Sequence, residues 1–266
     1  MANGRSWTRD ELLILMNVYE KIPFGQFDES QKVIQDIAQR MDRTPGSIAM
    51  KLSNLASFDP TILARGRKGL VGASRLDREI WDEFHATHDT LAPQSEEMFR
   101  SLFHALETDD VELIKGVGVR KLKAYSAPTG ATEITVTTTV RRGQQFFRQA
   151  VLNAFDNQCA VTGIKIRELL VASHICPWNT HPADRLDPLN GLSLSRLHDA
   201  AFDRGLIAFD GDYRLVLGKE LRDAMTNATL QQSFSGFEGQ RLLIPIGAVP
   251  PKQEYLGYHR ETLFQG

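Results

Sequence analysis

The stretch from Ala172 to Gly205 constrains the fold most, because polar residues in it recur at the ends of short apolar segments. An apolar run ends at His174, and the loop after it is rich in Pro, Asn and Asp, which predicts a strand that ends at this histidine. Asn190 and Gly191 form a turn pair, and residues 192–195 then alternate as a strand does. The sequence therefore predicts a β-hairpin with His174 at the end of one strand and Asn190 at the start of the other.

An amphipathic helix is predicted directly after this hairpin. Apolar residues recur at helical spacing from Leu197 to Phe202, and Ser195 is a suitable N-cap. His198 lies on the flank of the apolar stripe, so we expect its ring to face the hairpin. One imidazole from a strand and one from a helix can then reach the same phosphate, the first activating water and the second holding a metal ion.

The order and spacing of these residues resemble the HNH family of His-Me finger nucleases. The matching motifs are S-H-I-x-P-W at residues 173–178, N-G-L-x-L at residues 190–194 and H-D-x-x-F-D at residues 198–203. Residues 143–148 and 159–163 are also similar to the approach to this site in the family. The resemblance implies an α+β chain, in which a helical N-terminal region precedes a C-terminal HNH domain of the ββα-metal type.

The resemblance also implies a role for each matching residue. His174 matches the general base, Asn190 the residue that orients the base and its loop, and His198 a metal ligand. Many members have an acid or a histidine before the base as a second ligand, and this chain has Ser173, whose hydroxyl binds hard cations less well than a carboxylate. The second ligand is then Asp199 or Asp203, or else water and substrate hold the ion weakly. The implied cation is Mg²⁺ or Mn²⁺.

Composition restricts the class of protein and its location. The chain is 42% hydrophobic and 24% charged, as ordinary globular proteins are. It has no signal-peptide pattern and no run near the ~18 apolar residues that span a bilayer, so we expect a cytoplasmic protein without a membrane partner. Cys159 and Cys176 are too few for a four-cysteine site, which predicts no structural zinc. The formal net charge of -2 does not exclude DNA binding, because binding depends on where charge clusters.

A three-helix domain is predicted over residues 1–60. Thr8 and Glu11 have the spacing of a capping box, and a third helix begins at Pro45. The pattern resembles helix-turn-helix and SANT/Myb-like domains, whose last helix enters the major groove. We expect Ser47, Lys51 and Asn54 to lie on the exposed face of this helix and to contact DNA. The alternative is a helical domain that contacts protein.

The middle of the chain is predicted to connect two domains. Residues 61–125 form a helical connector with a basic segment, Arg65, Arg67 and Lys68, that would touch phosphates. Residues 113–121 resemble a helix-hairpin-helix turn, with an ordinary connector turn as the alternative. Residues 126–140 read as a linker in which Ile134 and Val136 form at most one edge strand.

The nuclease domain is predicted over residues 141–266, opening with a helix of basic character. Its residues Arg141, Arg142 and Arg148 are expected to contact the DNA backbone, unless they are only a solvated helix end.

We therefore expect a metal-dependent DNA endonuclease, for which the resemblance implies a place in restriction or anti-phage defence. A homodimer would let two single-strand sites cut both strands. Two alternatives are open: a DNA-binding protein whose HNH fold has lost turnover, which Ser173 favours, and a nuclease that assembly or a partner activates.

Overall fold

The chain divides between Asn153 and Ala154 into two units, each with its own interior. The computed structural model describes residues 5–106, 109–123, 134–178 and 180–266. The two units are presented separately below.

The first unit opens with helices, as the sequence predicts for residues 1–60. They are α1 (Arg9–Lys21), α2 (Lys32–Met41), α3 (Pro45–Leu55), α4 (Pro60–Ala64), α5 (Arg75–Ala86) and α6 (His88–Leu102). Thr8 and Glu11 form the predicted capping box at the start of α1, since each side chain accepts a hydrogen bond from the other residue's backbone N–H. Thr44 caps α3, where Pro45 occupies the first turn. The predicted starts of these two helices are confirmed.

A β-hairpin follows the helices and replaces the helix-hairpin-helix turn that residues 113–121 resemble. Its strands are β1 (Asp109–Ile114) and β2 (Gly118–Lys123), which pair antiparallel with Leu113 opposite Val119. Val111 and Leu113 are buried while Glu112 between them is not, a period of two that belongs to a strand. The expectation of a helix-hairpin-helix turn is therefore wrong.

Helix α7 (Ile134–Ala154) completes the first unit and begins earlier than expected. Ile134 and Val136 lie in this helix and not in an edge strand, and residues 126–133 of the predicted linker lie outside the described residues. The side-chain amides of Gln149 and Asn153 bond to β1: Gln149 accepts from the N–H of Leu113, and Asn153 donates to its carbonyl, both at 2.8 Å. These bonds place residues 141–153 with the first unit, whereas we expected them in the nuclease domain.

The second unit contains the predicted hairpin and helix. Its elements are β3 (Leu170–His174), β4 (Gly191–Ser195), α8 (Arg196–Asp203), β5 (Ile207–Phe209), β6 (Leu215–Leu217), α9 (Lys219–Asp223), α10 (Ala228–Phe234) and α11 (Gln253–Thr262). Strands β3 and β4 pair antiparallel with His174 opposite Gly191, and α8 packs on both strands. The predicted strand–turn–strand–helix order is confirmed. A second hairpin follows, in which β5 and β6 pair antiparallel across the turn at residues 210–212.

Segments distant in sequence hold this hairpin and helix in place. The N–H of Ala160 donates to the carbonyl of Ser193 at 2.7 Å, which joins the 159–163 turn to β4. On the other side, the His259 ring of α11 stacks on Phe202 of α8 with centroids 3.8 Å apart. Helix α8 ends at Asp203, and Gly205, just past its C-cap Arg204, has a φ of +67° and a close approach to Leu263 that leave no room for a side chain. The hairpin and α8 therefore contact segments from both ends of the unit.

Among the described residues, no helix is long and apolar enough to cross a bilayer.

Candidate active site at the hairpin and helix α8

His174 is the last residue of β3, and its ring is held in one tautomer. The Nε2 atom lies 2.9 Å from the carbonyl oxygen of Arg185, which can only accept, so Nε2 carries the proton. The basic nitrogen of the neutral ring is then Nδ1. Trp178 meets the ring edge-on with centroids 5.4 Å apart. Burial lowers the pKa of His174 despite the bond to Arg185, so the ring is neutral at pH 7 and chemically able to accept a proton.

Asn190 fixes the chain immediately after His174. Its side chain is fully buried, and its Oδ1 accepts from the N–H of Cys176 at 2.8 Å. Its Nδ2 donates to the carbonyls of Asp184, at 3.0 Å, and Cys176, at 3.4 Å. The N–H of Ile175 donates to the carbonyl of Asn190 at 3.0 Å. Both ends of the loop between the strands are thus joined through one amide, which holds His174 at a defined place.

Two residues of the C-terminal segment brace the same loop, and the sequence gives no signal for them. The Tyr255 hydroxyl lies 2.9 Å from carboxylate oxygens of both Asp184 and Asp187. Lys252 donates to Asp187 at 2.8 Å. Asp184 immediately precedes Arg185, whose carbonyl meets His174. The hydroxyl has one proton, so it donates to one of the two carboxylates at a time. A tyrosine 71 positions beyond Asp184 therefore supports the segment that orients the base, and only folding brings it there.

Asp199 and Asp203 lie one turn apart on α8 and share a side with Ser173 of β3. Burial raises the pKa of Asp199, while the nearby Ser173 hydroxyl and Arg196 partly counter it. Burial and the charge of Asp199 raise the pKa of Asp203 to about 6, although Asp203 is open to solvent on one side. A carboxylate whose pKa is raised by the charge of a neighbouring carboxylate marks a place where a cation is favourable.

The donor set at this point fits a hard divalent cation. The Ser173 Oγ is buried without a well-formed hydrogen bond, even though it lies close enough to Asp199 to favour its charged form. With two carboxylates, this gives oxygen donors of the kind that Mg²⁺ and Mn²⁺ prefer. Within the part of the chain that the structure describes, no three His, Cys, Asp or Glu side chains form a metal cage. A cation here would keep much of its coordination for water and substrate.

The His198 ring lies in the interior of the unit and meets the hairpin at Ser195, the last residue of β4. Its side chain is buried at 2% exposure, while its neighbour Leu197 is 44% exposed. The Nδ1 atom lies 2.9 Å from the Ser195 hydroxyl and Nε2 lies 3.0 Å from the carbonyl of Ser233. The rings of His174 and His198 therefore meet different parts of the unit, because Leu197 and not His198 takes the outward place on α8.

The predicted DNA contacts of α3 are used inside the first unit. Lys51 is 5% exposed, and its Nζ lies 2.9 Å from both carboxylate oxygens of the buried Asp77 in α5. Asn54 is 6% exposed. Ser47 is half-buried, and its hydroxyl donates to the carbonyl of Thr44 in the helix cap. The expectation that Lys51 and Asn54 are exposed is wrong, because α5 covers that face of α3.

Two of the three arginines predicted to meet DNA are paired with acids. Arg141 lies 3.1 Å from Asp110, and Arg142 is 3% exposed and lies 2.6 Å from Glu97. Arg148 is half-buried in the same helix, α7. These arginines stabilise the first unit, so the basic start of α7 is not a free cationic face.

Comparison with known proteins identifies the second unit. Residues 159–210 match the HNH endonuclease family, and this range includes the hairpin, the loop and α8. No curated protein matches the chain. HNH nucleases generally use a divalent metal, and a nuclease domain implies a DNA substrate. Because the family match coincides with a strand-end histidine, a buried loop asparagine and a carboxylate pair on the following helix, residues 159–210 carry an HNH endonuclease domain, which indicates a nuclease, a phosphodiester hydrolase.

Proposed function

We propose that this protein is a metal-dependent DNA endonuclease in which His174 takes a proton from the water that attacks the phosphodiester bond. The observation that carries the proposal is the bond from His174 Nε2 to the Arg185 carbonyl. It makes Nδ1 the basic nitrogen at the end of β3, and the lowered pKa keeps the ring ready to accept a proton at neutral pH.

Asp199, Asp203 and Ser173 would hold the cation, which we propose to be Mg²⁺ with Mn²⁺ as a substitute. When bound, the ion supplies charge stabilisation to the phosphate and to the leaving oxygen. Support comes from the oxygen donors, the raised pKa of both carboxylates and the unpaired Ser173 hydroxyl. The resemblance implies that His198 is a metal ligand. Both ring nitrogens of His198 are hydrogen-bonded within the protein, so we assign the ligand role to these three residues instead.

Asn190 orients the base without touching the substrate. It fixes Cys176, two residues beyond His174, and the carbonyl of Asp184, next to Arg185. The backbone just after His174 and the segment that carries the Arg185 carbonyl are thereby fixed before DNA binds. This reduces the reorganisation needed at the moment of reaction.

The first unit would bind the DNA backbone through a basic loop after α4. Arg65, Arg67 and Lys68 are exposed, and the loop is held to α3 because the N–H of Leu70 donates to the Ser53 carbonyl at 3.0 Å. A side chain at Gly69 would lie 2.3 Å from a backbone nitrogen of the same region, so this attachment is tight. Fixed arginines and lysines are suited to phosphate contacts. Ser47 and Arg148 remain proposed contacts as well.

The biological role we propose is restriction or anti-phage defence, on the basis of the motif order in residues 173–203. A homodimer remains our proposal for double-strand cutting, because one HNH site acts on one strand.

Nicking of supercoiled plasmid tests the proposed chemistry. We expect cutting in Mg²⁺ or Mn²⁺ and none in EDTA. His174→Ala should lower the nicking rate at least ~100-fold, the usual size of a general-base effect. His181→Ala is the matched control, since this histidine belongs to the same loop and packs on Tyr258. Cutting by His174→Ala at the wild-type rate would contradict the assignment of the base.

A second candidate is a DNA-binding protein that has kept the HNH fold without turnover, or that cuts only after assembly with a partner. Ser173 favours it, because a hydroxyl stands where many members have an acid. Tight, metal-independent binding of plasmid without nicking, at every protein concentration and with either cation, would favour the inactive protein. Nicking that appears only above a threshold concentration would favour assembly.

A further inference from the structure

We propose that the Arg185 side chain binds the phosphodiester group that is cut, beside the base. One residue then orients His174 through its backbone and contacts the DNA through its guanidinium. This role rests on the proposed endonuclease function, and it adds a substrate-binding group to the loop between β3 and β4.

The backbone of Arg185 is fixed at the base. Its carbonyl accepts from Nε2 of His174 at 2.9 Å. The carbonyl before it, that of Asp184, accepts from the buried Asn190 amide at 3.0 Å. The residue after it, Leu186, is buried in the interior of the unit. The main chain that carries the guanidinium is therefore held next to the His174 ring before any substrate arrives.

The side chain of Arg185 is fixed as well, against the tryptophan that meets the base. Its Nε donates to the carbonyl of Trp178 at 2.7 Å. Its guanidinium lies over the Trp178 ring, 5.3 Å from the centroid, which is a favourable cation–π contact. The same ring meets His174 edge-on at 5.4 Å. The cation and the base thus contact one aromatic ring, which brings them into the same part of the unit.

The charge of Arg185 is not neutralised by any acid in the described part of the chain. The two carboxylates of its own loop bond elsewhere: Asp184 meets the Tyr255 hydroxyl at 2.9 Å, and Asp187 accepts from Lys252 at 2.8 Å. Among the residues that the structure describes, the Nε bond is the hydrogen bond of this guanidinium, and no acceptor meets Nη1 or Nη2. A half-buried cation with two donors open is suited to an anion.

A phosphodiester group matches these donors. Nη1 and Nη2 form a planar fork that can meet two phosphate oxygens, and such charge-assisted bonds are stronger than neutral ones. As the bond from the water oxygen to phosphorus forms and the bond to the leaving oxygen breaks, negative charge grows on the phosphate oxygens. The water proton goes to Nδ1 of His174, and the leaving oxygen takes a proton from solvent. A guanidinium that is already in place stabilises this transition state more than the substrate.

Single-turnover nicking of supercoiled plasmid in Mg²⁺ tests the contact. Every substitution of Arg185 keeps the backbone carbonyl that holds His174, so the rate reports on the side chain. Arg185→Ala should lower the rate at least about 100-fold, as loss of one transition-state donor does. Guanidinium chloride at a non-denaturing concentration should raise the rate of this variant about tenfold over equal sodium chloride, since the free ion can take the same place.

A matched control is an arginine of the same unit whose charge is neutralised. Arg222 lies 2.7 Å from Glu238, so Arg222→Ala should cut at the wild-type rate and should not respond to guanidinium.

DNA affinity in EDTA at several salt concentrations provides a readout that does not need cutting. Each lost phosphate contact lowers the slope of log affinity against log salt by about 0.9 on duplex DNA, which we expect for Arg185→Ala. Arg185→Lys should keep the wild-type slope because it keeps the charge. It should nick about tenfold more slowly than wild type, because an ammonium lacks the fork. Arg222→Ala should keep the slope.

A wild-type slope and a wild-type nicking rate in Arg185→Ala would overturn the inference. Slower nicking with a wild-type slope and no response to guanidinium would overturn it too, and would leave Arg185 as a residue that only shapes the loop. A wild-type chain that nicks no plasmid in Mg²⁺ or Mn²⁺, while Arg185→Ala still lowers the slope, would contradict the proposed endonuclease function and support the phosphate contact.

Discussion

Asn190 accepts a hydrogen bond from the backbone N–H of Cys176 at 2.8 Å, which ties the start of β4 to the chain just beyond His174. The same side chain donates to the Asp184 carbonyl at 3.0 Å. One fully buried amide thus joins both ends of the loop that follows His174.

Replacing Asn190 should lower both stability and cutting. Asn190→Ala leaves the N–H of Cys176 and the carbonyl of Asp184 without their partner, and each unpaired buried group costs about 1–3 kcal/mol. We expect the free energy of unfolding, measured with urea, to fall by at least about 2 kcal/mol. Nicking measured below the unfolding transition should still fall. Thr180→Ala, at an exposed position of the same loop, should change neither quantity, and an Asn190→Ala chain with wild-type nicking would exclude an orienting role.

The carboxylates of α8 should respond to substitution as a pair. Asp199→Asn and Asp203→Asn each keep the shape of the side chain and remove one negative charge, so each should weaken Mn²⁺ binding while leaving thermal unfolding unchanged or slightly improved. Relief of their mutual repulsion is the reason for the second expectation. Asp223→Asn, at an exposed ion pair with Lys219, is the control. Unchanged Mn²⁺ affinity in the double variant would remove both residues from the cation site.

The nicking rate should rise with pH and then level off below neutrality. Burial lowers the pKa of His174 from its ordinary value of 6.5, so the ring loses its proton at a pH below that value. The active, neutral form accumulates as pH rises through the lowered pKa and is complete above it. Single-turnover nicking between pH 5 and 8 measures this profile. A midpoint above pH 7 would mean that His174 is stabilised in its charged form and is not the base.

The free energy of unfolding of the second unit should fall as pH drops below about 6.5, the ordinary pKa of histidine. Burial lowers the pKa of His198 and of His259, so these rings bind protons less readily in the folded than in the unfolded chain. The unfolded state then takes up more protons below pH 6.5, and the free energy of unfolding decreases there while staying constant above.

Urea unfolding at pH 5 and pH 8 measures this difference. His198→Gln and His259→Gln should each reduce it. His85 of the first unit acts with the opposite sign, since burial is outweighed by Glu20, which raises its pKa. A pH dependence of unfolding that is the same in the His198→Gln and His259→Gln chains would contradict the expectation.

The Lys51–Asp77 pair should contribute to stability and not to DNA binding. Lys51→Ala leaves the fully buried Asp77 uncompensated, and breaking a buried pair in this way typically costs about 3–5 kcal/mol. Arg75→Ala removes a pair with Glu79 whose arginine is 92% exposed, and surface pairs contribute little. Circular dichroism on heating separates the two variants. A gel shift in which Lys51→Ala weakens DNA binding while unfolding is unchanged would restore the predicted role of α3.

Much of the site follows from short-range sequence pattern. An apolar run stopped by Pro177 places His174 at a strand end, and Asn190-Gly191 starts the partner strand, because turn residues and alternation act over a few positions. The capping box at Thr8 and the hairpin around residues 210–212 were predictable on the same basis. These features depend on neighbours in the chain, so the sequence alone determined them.

Tertiary packing decided which side chains of a helix point into the interior and which point to solvent. Whether Leu197 or His198 turns inward depends on α10, which supplies the Ser233 carbonyl, and whether Lys51 meets solvent depends on Asp77 of α5. Neither partner lies within one helix turn of the residue it binds. A step of one residue rotates a helical side chain by about 100°, so a hydrophobic stripe alone does not select between adjacent positions. The sequence by itself determined the order of strand, turn, strand and helix, and only the tertiary structure decided that the helix keeps His198 inside, on the Ser233 carbonyl of α10.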